Sequence, residues 1–174
     1  AVIITTPDST HRVIFEQALV QGKDILCEKP LATTLEDALY MAKISLNKNN
    51  VLQLGFMLRY SPFYSKLKEI IDNGSIGKIQ NIKIYETVEF YHGATYFRRW
   101  HRFVKNSGGL LVHKSCHTLD IANWLIESKP SWISAKGGIA TFLPKQGSAR
   151  HCKNCQFSSD CSASYRFGDW NWNY

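Results

Sequence analysis

The chain has 174 residues, 44% of them hydrophobic and 20% charged, with a net charge of +7. That is the composition of a soluble globular protein with a sizeable core, and no run approaches the ~20 apolar residues of a membrane span, so no membrane partner is expected. The positive balance suits an anionic ligand and equally an ordinary basic surface.

Ala1-Val2-Ile3-Ile4-Thr5-Thr6-Pro7 reads as a buried strand already under way at residue 1. The chain ends as abruptly in Trp170-Asn171-Trp172-Asn173-Tyr174, so a segment of a longer protein is expected. Pro7-Asp8-Ser9-Thr10 predicts a turn and a helix start. The helix carries Val13, Ile14, Ala18 and Leu19 and stops at Gly22. Ile25-Leu26-Cys27 is the second expected strand. Thr33 or Thr34 caps a helix through Leu35, Ala38, Leu39, Ala42, Ile44 and Leu46, and Val51 to Phe56 is the third strand. Helices of this length between short apolar strands argue for an α/β fold with a doubly wound parallel sheet.

The pattern changes near Arg59–Ser61, which divides the chain into 1–60 and 61–174. Pro62 opens a helix with Leu67, Ile70 and Ile71 on one face, ended by Asn73-Gly74. Residues 78–88 alternate as a half-exposed strand should. An aromatic and basic loop over 90–106 follows, then Gly108-Gly109, a helix through Leu119, Ile121, Ala122, Trp124 and Leu125, and another strand from Trp132 to Phe142. This part reads as an α+β layer.

Two constellations carry chemistry. Cys27-Glu28-Lys29-Pro30 places a charged pair at the carboxyl end of a predicted parallel strand, where open α/β sheets bind ligands. Pro30 stiffens the exit and biases Lys29 towards an extended backbone, so the lysine is aimed. A solvated Glu-Lys pair on a plain loop is the other reading of that tetrapeptide. The second constellation runs from Gly108 to Asp120. His113 and His117 are four apart and would share one helix face, with Asp120 a turn further on, close enough to orient an imidazole. The glycine pair lets backbone approach a ligand, and histidine is the usual base for taking a proton from an alcohol. Two ordinary histidines on an amphipathic helix are the alternative.

Thr5-Thr6-Pro7 with His11, then Cys27-Glu28-Lys29-Pro30-Leu31-Ala32, then Gly55-Phe56 with Arg59-Tyr60, then Gly-Gly through His117-Thr118-Leu119-Asp120, occur in the order found in one family. Over about residues 1–140 the chain resembles the glucose–fructose oxidoreductase, inositol dehydrogenase and MocA family. The resemblance implies the later half of a Rossmann-like dinucleotide-binding domain, followed by part of an α+β domain with an open, largely antiparallel sheet. It implies NAD or NADP as cofactor, a sugar, polyol or related hydroxyl compound as substrate, and homo-oligomer contacts through the C-terminal sheet. It casts Lys29 and His117 as catalytic, with His113 beside them. Thr6, Pro7, His11, Glu28 and Lys29 become cofactor-side positions, and Arg59, Trp100, Arg102 and Lys114 substrate-side ones. Asp120 would hold the imidazole or begin the following helix.

The sequence departs from the family in two places. An aspartate often stands four residues before the histidine, where this chain has His113, giving a His-Lys-x-x-His variant. The glycine-rich pyrophosphate fingerprint belongs upstream of Ala1, so the segment by itself is expected to be inactive. A non-catalytic binding or assembly protein that keeps the family sheet is the competing function.

His151, Cys152, Cys155 and Cys161 offer ligands within eleven residues but lack a second close pair, so reduced thiols or an exported disulfide precede a metal site in our reading. The aromatic and basic residues Tyr91 to Phe103 could grip a nucleic acid. A polar, sugar-sized pocket explains them better, and no nucleic-acid partner is expected. Cytoplasm is the default compartment.

Overall fold

The structure, a computed structural model, describes residues 1–46, 48–143, 146–149, 151–161 and 164. Asn47 and the aromatic end Trp170–Tyr174 lie outside the described residues.

Three parallel strands, β1 (Val2–Ile4), β2 (Ile25–Cys27) and β3 (Leu52–Leu54), form a sheet in the order β1-β2-β3. Val2, Ile25 and Leu52 stand level, and so do Ile4, Cys27 and Leu54 at the other end. Strands β1 and β3 are shorter than their apolar runs predict, because the ladder stops where Thr5 and Gly55 turn away. Helices α1 (His11–Val20) and α2 (Leu35–Ser45) are the crossovers between them. The Thr34 side chain accepts a hydrogen bond from the Asp37 N–H at 3.1 Å, which starts α2 where the sequence predicts.

The core beneath the sheet joins Ile4, Ile25 and Cys27 to Phe15, Ala18, Leu19, Ala32 and Met41. Alternation along a strand sends Ile3 and Leu26 to the opposite face, where both are exposed. Val13, Leu35 and Leu39, expected on buried helix faces, also point outward. In α1 the buried stripe is His11, Phe15, Ala18 and Leu19, so a histidine takes the place the sequence gives to Val13. The two helices are clasped by Arg12 against Asp37 and by the Tyr40 hydroxyl donating to Glu16 at 2.6 Å.

A 3₁₀ turn (Met57–Tyr60) leads to α3 (Pro62–Asp72), with Ser61 as its cap and Pro62 in its first turn. Lys68 in α3 bonds Asp72 and Glu127 at 2.6 and 2.7 Å, tying α3 to the end of the last long helix.

The two strands expected over 78–88 and from Trp132 to Phe142 are not formed. Alternation can make a segment fit a sheet, but its N–H and C=O groups still need a neighbouring strand. Among the described residues the only sheet is the three-stranded one. The loop expected over 90–106 is instead mostly helical: α4 (Phe90–Arg98), a 3₁₀ turn (Trp100–Arg102) and α5 (Val104–Ser107). Glu89 starts α4, its carboxylate accepting from the Tyr91 and His92 N–H groups at 2.9 and 2.8 Å. Short α6 (Leu110–His113) and α7 (Cys116–Ile126) follow, and a 3₁₀ turn (Cys152–Asn154) comes last among the described residues.

Candidate active site

The level strand ends bring three loops to one edge of the sheet: Thr5 to Asp8 after β1, Glu28 to Pro30 after β2, and Gly55-Phe56 after β3. The Glu28 N–H donates to the Ile4 carbonyl and the Gly55 N–H to the Cys27 carbonyl, at 2.9 and 2.7 Å, so the loops leave in register. The Glu28 carboxylate accepts from the Lys29 N–H at 3.2 Å and lies against Gly55. A Cβ at residue 55 would stand 3.0–3.1 Å from that carboxyl group, so glycine makes room for it.

His11 lies beneath these loops, fully buried, with Nδ1 2.9 Å from the Pro30 carbonyl oxygen and Nε2 2.9 Å from that of Thr6. Both ring nitrogens are committed to backbone. His11, expected on the cofactor side, here braces the two loops that carry Thr6-Pro7 and Lys29. Thr6 is exposed, and its hydroxyl lies 2.7 Å from that of Thr10.

The helices after residue 100 close over this edge. Gly108 has φ +72°, and a Cβ there would come within 2.6 Å of the Thr33 carbonyl oxygen, so its bare backbone packs on the loop beyond Pro30. The helix breaks between His113 and Cys116, which puts His113 at the end of α6 and His117 in the first turn of α7. The expectation of one shared helix face is thus overturned, since 3.6 periodicity does not carry across a broken helix.

Residue 113 is the meeting point. The Lys29 ammonium donates to the His113 carbonyl at 3.0 Å, and the His113 ring meets the Asp8 carboxylate through Nδ1 and Oδ2 at 2.5 Å. The same ring stacks on His101, with centroids 5.2 Å apart and planes 4° from parallel, and Trp100 and Tyr96 flank it edge-on. His117 is buried on its own side, edge-on to Phe56, and its Nδ1 is a buried nitrogen with no hydrogen-bond partner among the described residues. Asp120 does not orient an imidazole. Its carboxylate is taken by Arg59, with Nε at 2.8 Å and Nη2 in a second bond, and the Arg59 guanidinium also lies near Phe56 and Trp124.

Burial lowers the pKa of His117 below the usual histidine value, and the positive charges of Lys29 and Lys114 lower it further, against Glu86 and Glu28. The ring is consequently a neutral base at neutral pH. Lys114 pairs with Glu86 at 2.9 Å, and that hydrogen bond raises the lysine pKa and keeps it charged. Burial alone would raise the Glu86 pKa, but its bonds from Thr118 and Lys114 outweigh this and lower it. Burial also raises the Cys27 thiol to about 12 and the Cys116 thiol above its ordinary value, so neither is a ready thiolate.

Of the substrate-side positions, Trp100 and Lys114 stand beside this cluster, Arg59 is bound by Asp120, and Arg102 is exposed with its guanidinium over Phe103. Sequence reasoning missed Asp8 and Glu86, and reached Tyr96 and His101 only as members of the run Tyr91 to Phe103 expected to border a sugar-sized pocket. Asp8 follows Thr-Pro where a helix cap is the obvious role, and 105 residues separate it from its partner. No disulfide links Cys152, Cys155 or Cys161, and among the described residues no three His, Cys, Asp or Glu side chains gather for a metal ion.

Comparison with known proteins bears on this geometry. The family described as "Oxidoreductase family, NAD-binding Rossmann fold" matches residues 1–56, and "Oxidoreductase family, C-terminal alpha/beta domain" matches residues 68–158. YteT of Bacillus subtilis (strain 168), grouped with the oxidoreductases, is 34% identical over 167 residues, covering 92% of this chain and 39% of YteT. The NAD(+) scyllo-inositol 2-dehydrogenase of the same strain is 37% identical over 139 residues, covering 80% of this chain and 39% of the enzyme. The chain thus spans about two-fifths of the length of these curated relatives. Scyllo-inositol dehydrogenase from Lactobacillus casei, solved with bound NAD(H) and scyllo-inositol, is 31% identical. It superposes with a TM-score of 0.64 over 73% of this chain and 37% of that one. The β1-β2-β3 edge with Lys29 and the helices bearing His117 fall within the two matched stretches, and the chain belongs to the Gfo/Idh/MocA oxidoreductase family.

Proposed function

We propose that this chain is part of an NAD(P)-dependent oxidoreductase that moves hydride between the nicotinamide and a sugar, polyol or related hydroxyl compound. The observation that carries the reading is His117. A buried, neutral imidazole with an unpartnered nitrogen sits within the electrostatic reach of a lysine, at the carboxyl edge of a parallel sheet. A dinucleotide fits the same edge. The exposed Thr6-Pro7 turn, the Glu28 carboxylate seated against Gly55, and Lys29 are the residues that would hold it. When bound, the oxidised nicotinamide supplies the hydride acceptor.

His117 takes the proton of the substrate hydroxyl, which its lowered pKa allows near neutrality. Lys29, anchored on the His113 carbonyl, favours the negative charge that develops on oxygen as that proton leaves. Trp100 and Lys114 offer a ring face and a cation to a polyhydroxylated substrate. Scyllo-inositol in a relative supports a cyclic polyol as the first compound to try.

Three further assignments accompany this reading. A division near residue 60 is supported by the gap between the matched stretches, which end at 56 and begin at 68. Homo-oligomer contacts through the C-terminal part are supported by exposed Tyr85, Trp132, Ile133 and Ile139. Cytoplasmic residence is supported by the reduced thiols of Cys27, Cys116, Cys152 and Cys161. Among the described residues no helix is long and apolar enough to cross a membrane.

The test is reduction of NAD+ and NADP+ by the full-length protein with a panel of inositols and sugars. Turnover with at least one is expected, falling about 10²- to 10⁴-fold in His117→Gln and Lys29→Ala. A folded protein that turns over none of them would favour the non-catalytic binding role.

A further inference from the structure

Asp8 is a buried carboxylate in a rigid place. It opens the 3₁₀ turn Asp8–Thr10, its carbonyl accepts from the His11 N–H, and beneath that turn the His11 ring is held between two loop carbonyls. A carboxylate is costly to bury unless its oxygens find donors, and the donor Asp8 meets is the His113 ring at 2.5 Å, from a helix 105 residues away. Because an ionised carboxylate can only accept, this contact puts the proton of a neutral ring on Nδ1 and leaves Nε2 as its acceptor nitrogen. The ring has little freedom to turn away, stacked as it is on His101 and flanked by Trp100 and Tyr96.

The carbonyl of the same residue accepts from Lys29. Two loops at the sheet edge therefore grip residue 113, the β1 loop through its ring and the β2 loop through its backbone. An amide at position 8 could turn either its oxygen or its NH2 to the ring, whereas an ionised carboxylate offers acceptors alone and so leaves the ring one tautomer.

We propose that Asp8 is a positioning residue for the reaction: acting through His113, it fixes the Nδ1–H form of that ring and the location of the Lys29 ammonium. This rests on the oxidoreductase reading above for its kinetic consequence, but its tautomer consequence is independent of turnover.

The experiment uses full-length protein with ¹⁵N-labelled histidine, as wild type, Asp8→Asn, His113→Gln and the double variant. In the wild type the His113 resonances, assigned by their loss in His113→Gln, are expected to show protonated Nδ1 and unprotonated Nε2; in Asp8→Asn that preference weakens or reverses. With a substrate found by the panel, kcat of Asp8→Asn should fall about 10- to 100-fold with KM within about threefold, and Asp8→Glu should recover part of the loss. In the His113→Gln background the Asp8→Asn change should cost at most about twofold more, because both act through one ring. The proposal is overturned by a wild-type His113 protonated on Nε2 alone. It is also overturned by an unchanged kcat in a folded Asp8→Asn, or by losses that multiply in the double variant. If no substrate turns over while the Nδ1–H signature is present and Asp8-dependent, the oxidoreductase reading fails and the Asp8–His113 device stands.

Discussion

Residues 2–54 and residues 78–142 contain the same kind of sequence, short apolar or alternating runs between turns, yet only the first set becomes a sheet. In the first, each strand lies level with a parallel neighbour and α1 and α2 cover one face, burying Ile4, Ile25, Cys27 and Met41. In the second, the runs at 78–88 and 132–142 find no ladder, and Tyr85, Trp132, Ile133 and Ile139 stay exposed. The order in that region comes instead from helices pressed onto the sheet edge, where His117, Ile121 and Leu125 recur every fourth residue on the buried side of α7. The difference shows that a side-chain pattern states what a segment can bury, whereas a sheet also requires a partner backbone.

That contrast can be put under strain by substitution. The largest expected effect is in the first region: Met41→Ala, which empties a fully buried site, should cost about 2–5 kcal/mol in a denaturant titration. Trp132→Ser in the second, measured on protein diluted to monomer, should stay within about 0.5 kcal/mol; a comparable loss at both positions would erase the distinction. Gly108→Ala attacks the seam between the regions. Strain at φ +72° and the 2.6 Å approach to the Thr33 oxygen predict a loss of about 2–4 kcal/mol, read as a lower melting temperature.

The smallest effect concerns His117. Its pKa is lowered, so the base form, and with it kcat/KM, should appear as pH rises through an inflection below the usual 6.5. Lys114→Gln removes one of the cations that lower it and takes the lysine from Glu86, both of which favour the imidazolium. The inflection should move to higher pH, so that the loss of activity is larger near pH 6 than near pH 9, whatever Lys114 contributes to substrate binding. An inflection that stays put or moves down would separate Lys114 from His117.

Much of the first region was legible. Apolar runs bounded by Gly, Pro and capping residues located three strands, Thr34 and Pro62 marked helix starts, and the Glu28-Lys29-Pro30 exit pointed to the sheet edge where the three loops gather. The site was legible in its parts and not in its assembly. The four-residue spacing of His113 and His117 suggested one helix face, but the helix breaks between them. Asp120 looked like a partner for an imidazole because it is near in sequence, whereas Arg59, 61 residues away, holds it. Asp8 was invisible for the same reason. Long-range pairs leave no periodic trace, and the side chains that complete a site are often such pairs.

The Gly108 contact and the Asp8–His113 and Lys29–His113 bonds all cross the same seam, between loops of the sheet and helices that follow it. A hinge opening of a few ångströms would break all three together, because hydrogen bonds of 2.5–3.0 Å tolerate little stretch. The arrangement around residue 113 is then all or nothing: any opening of that seam would free the lysine from its anchor and the His113 ring from its carboxylate in one movement.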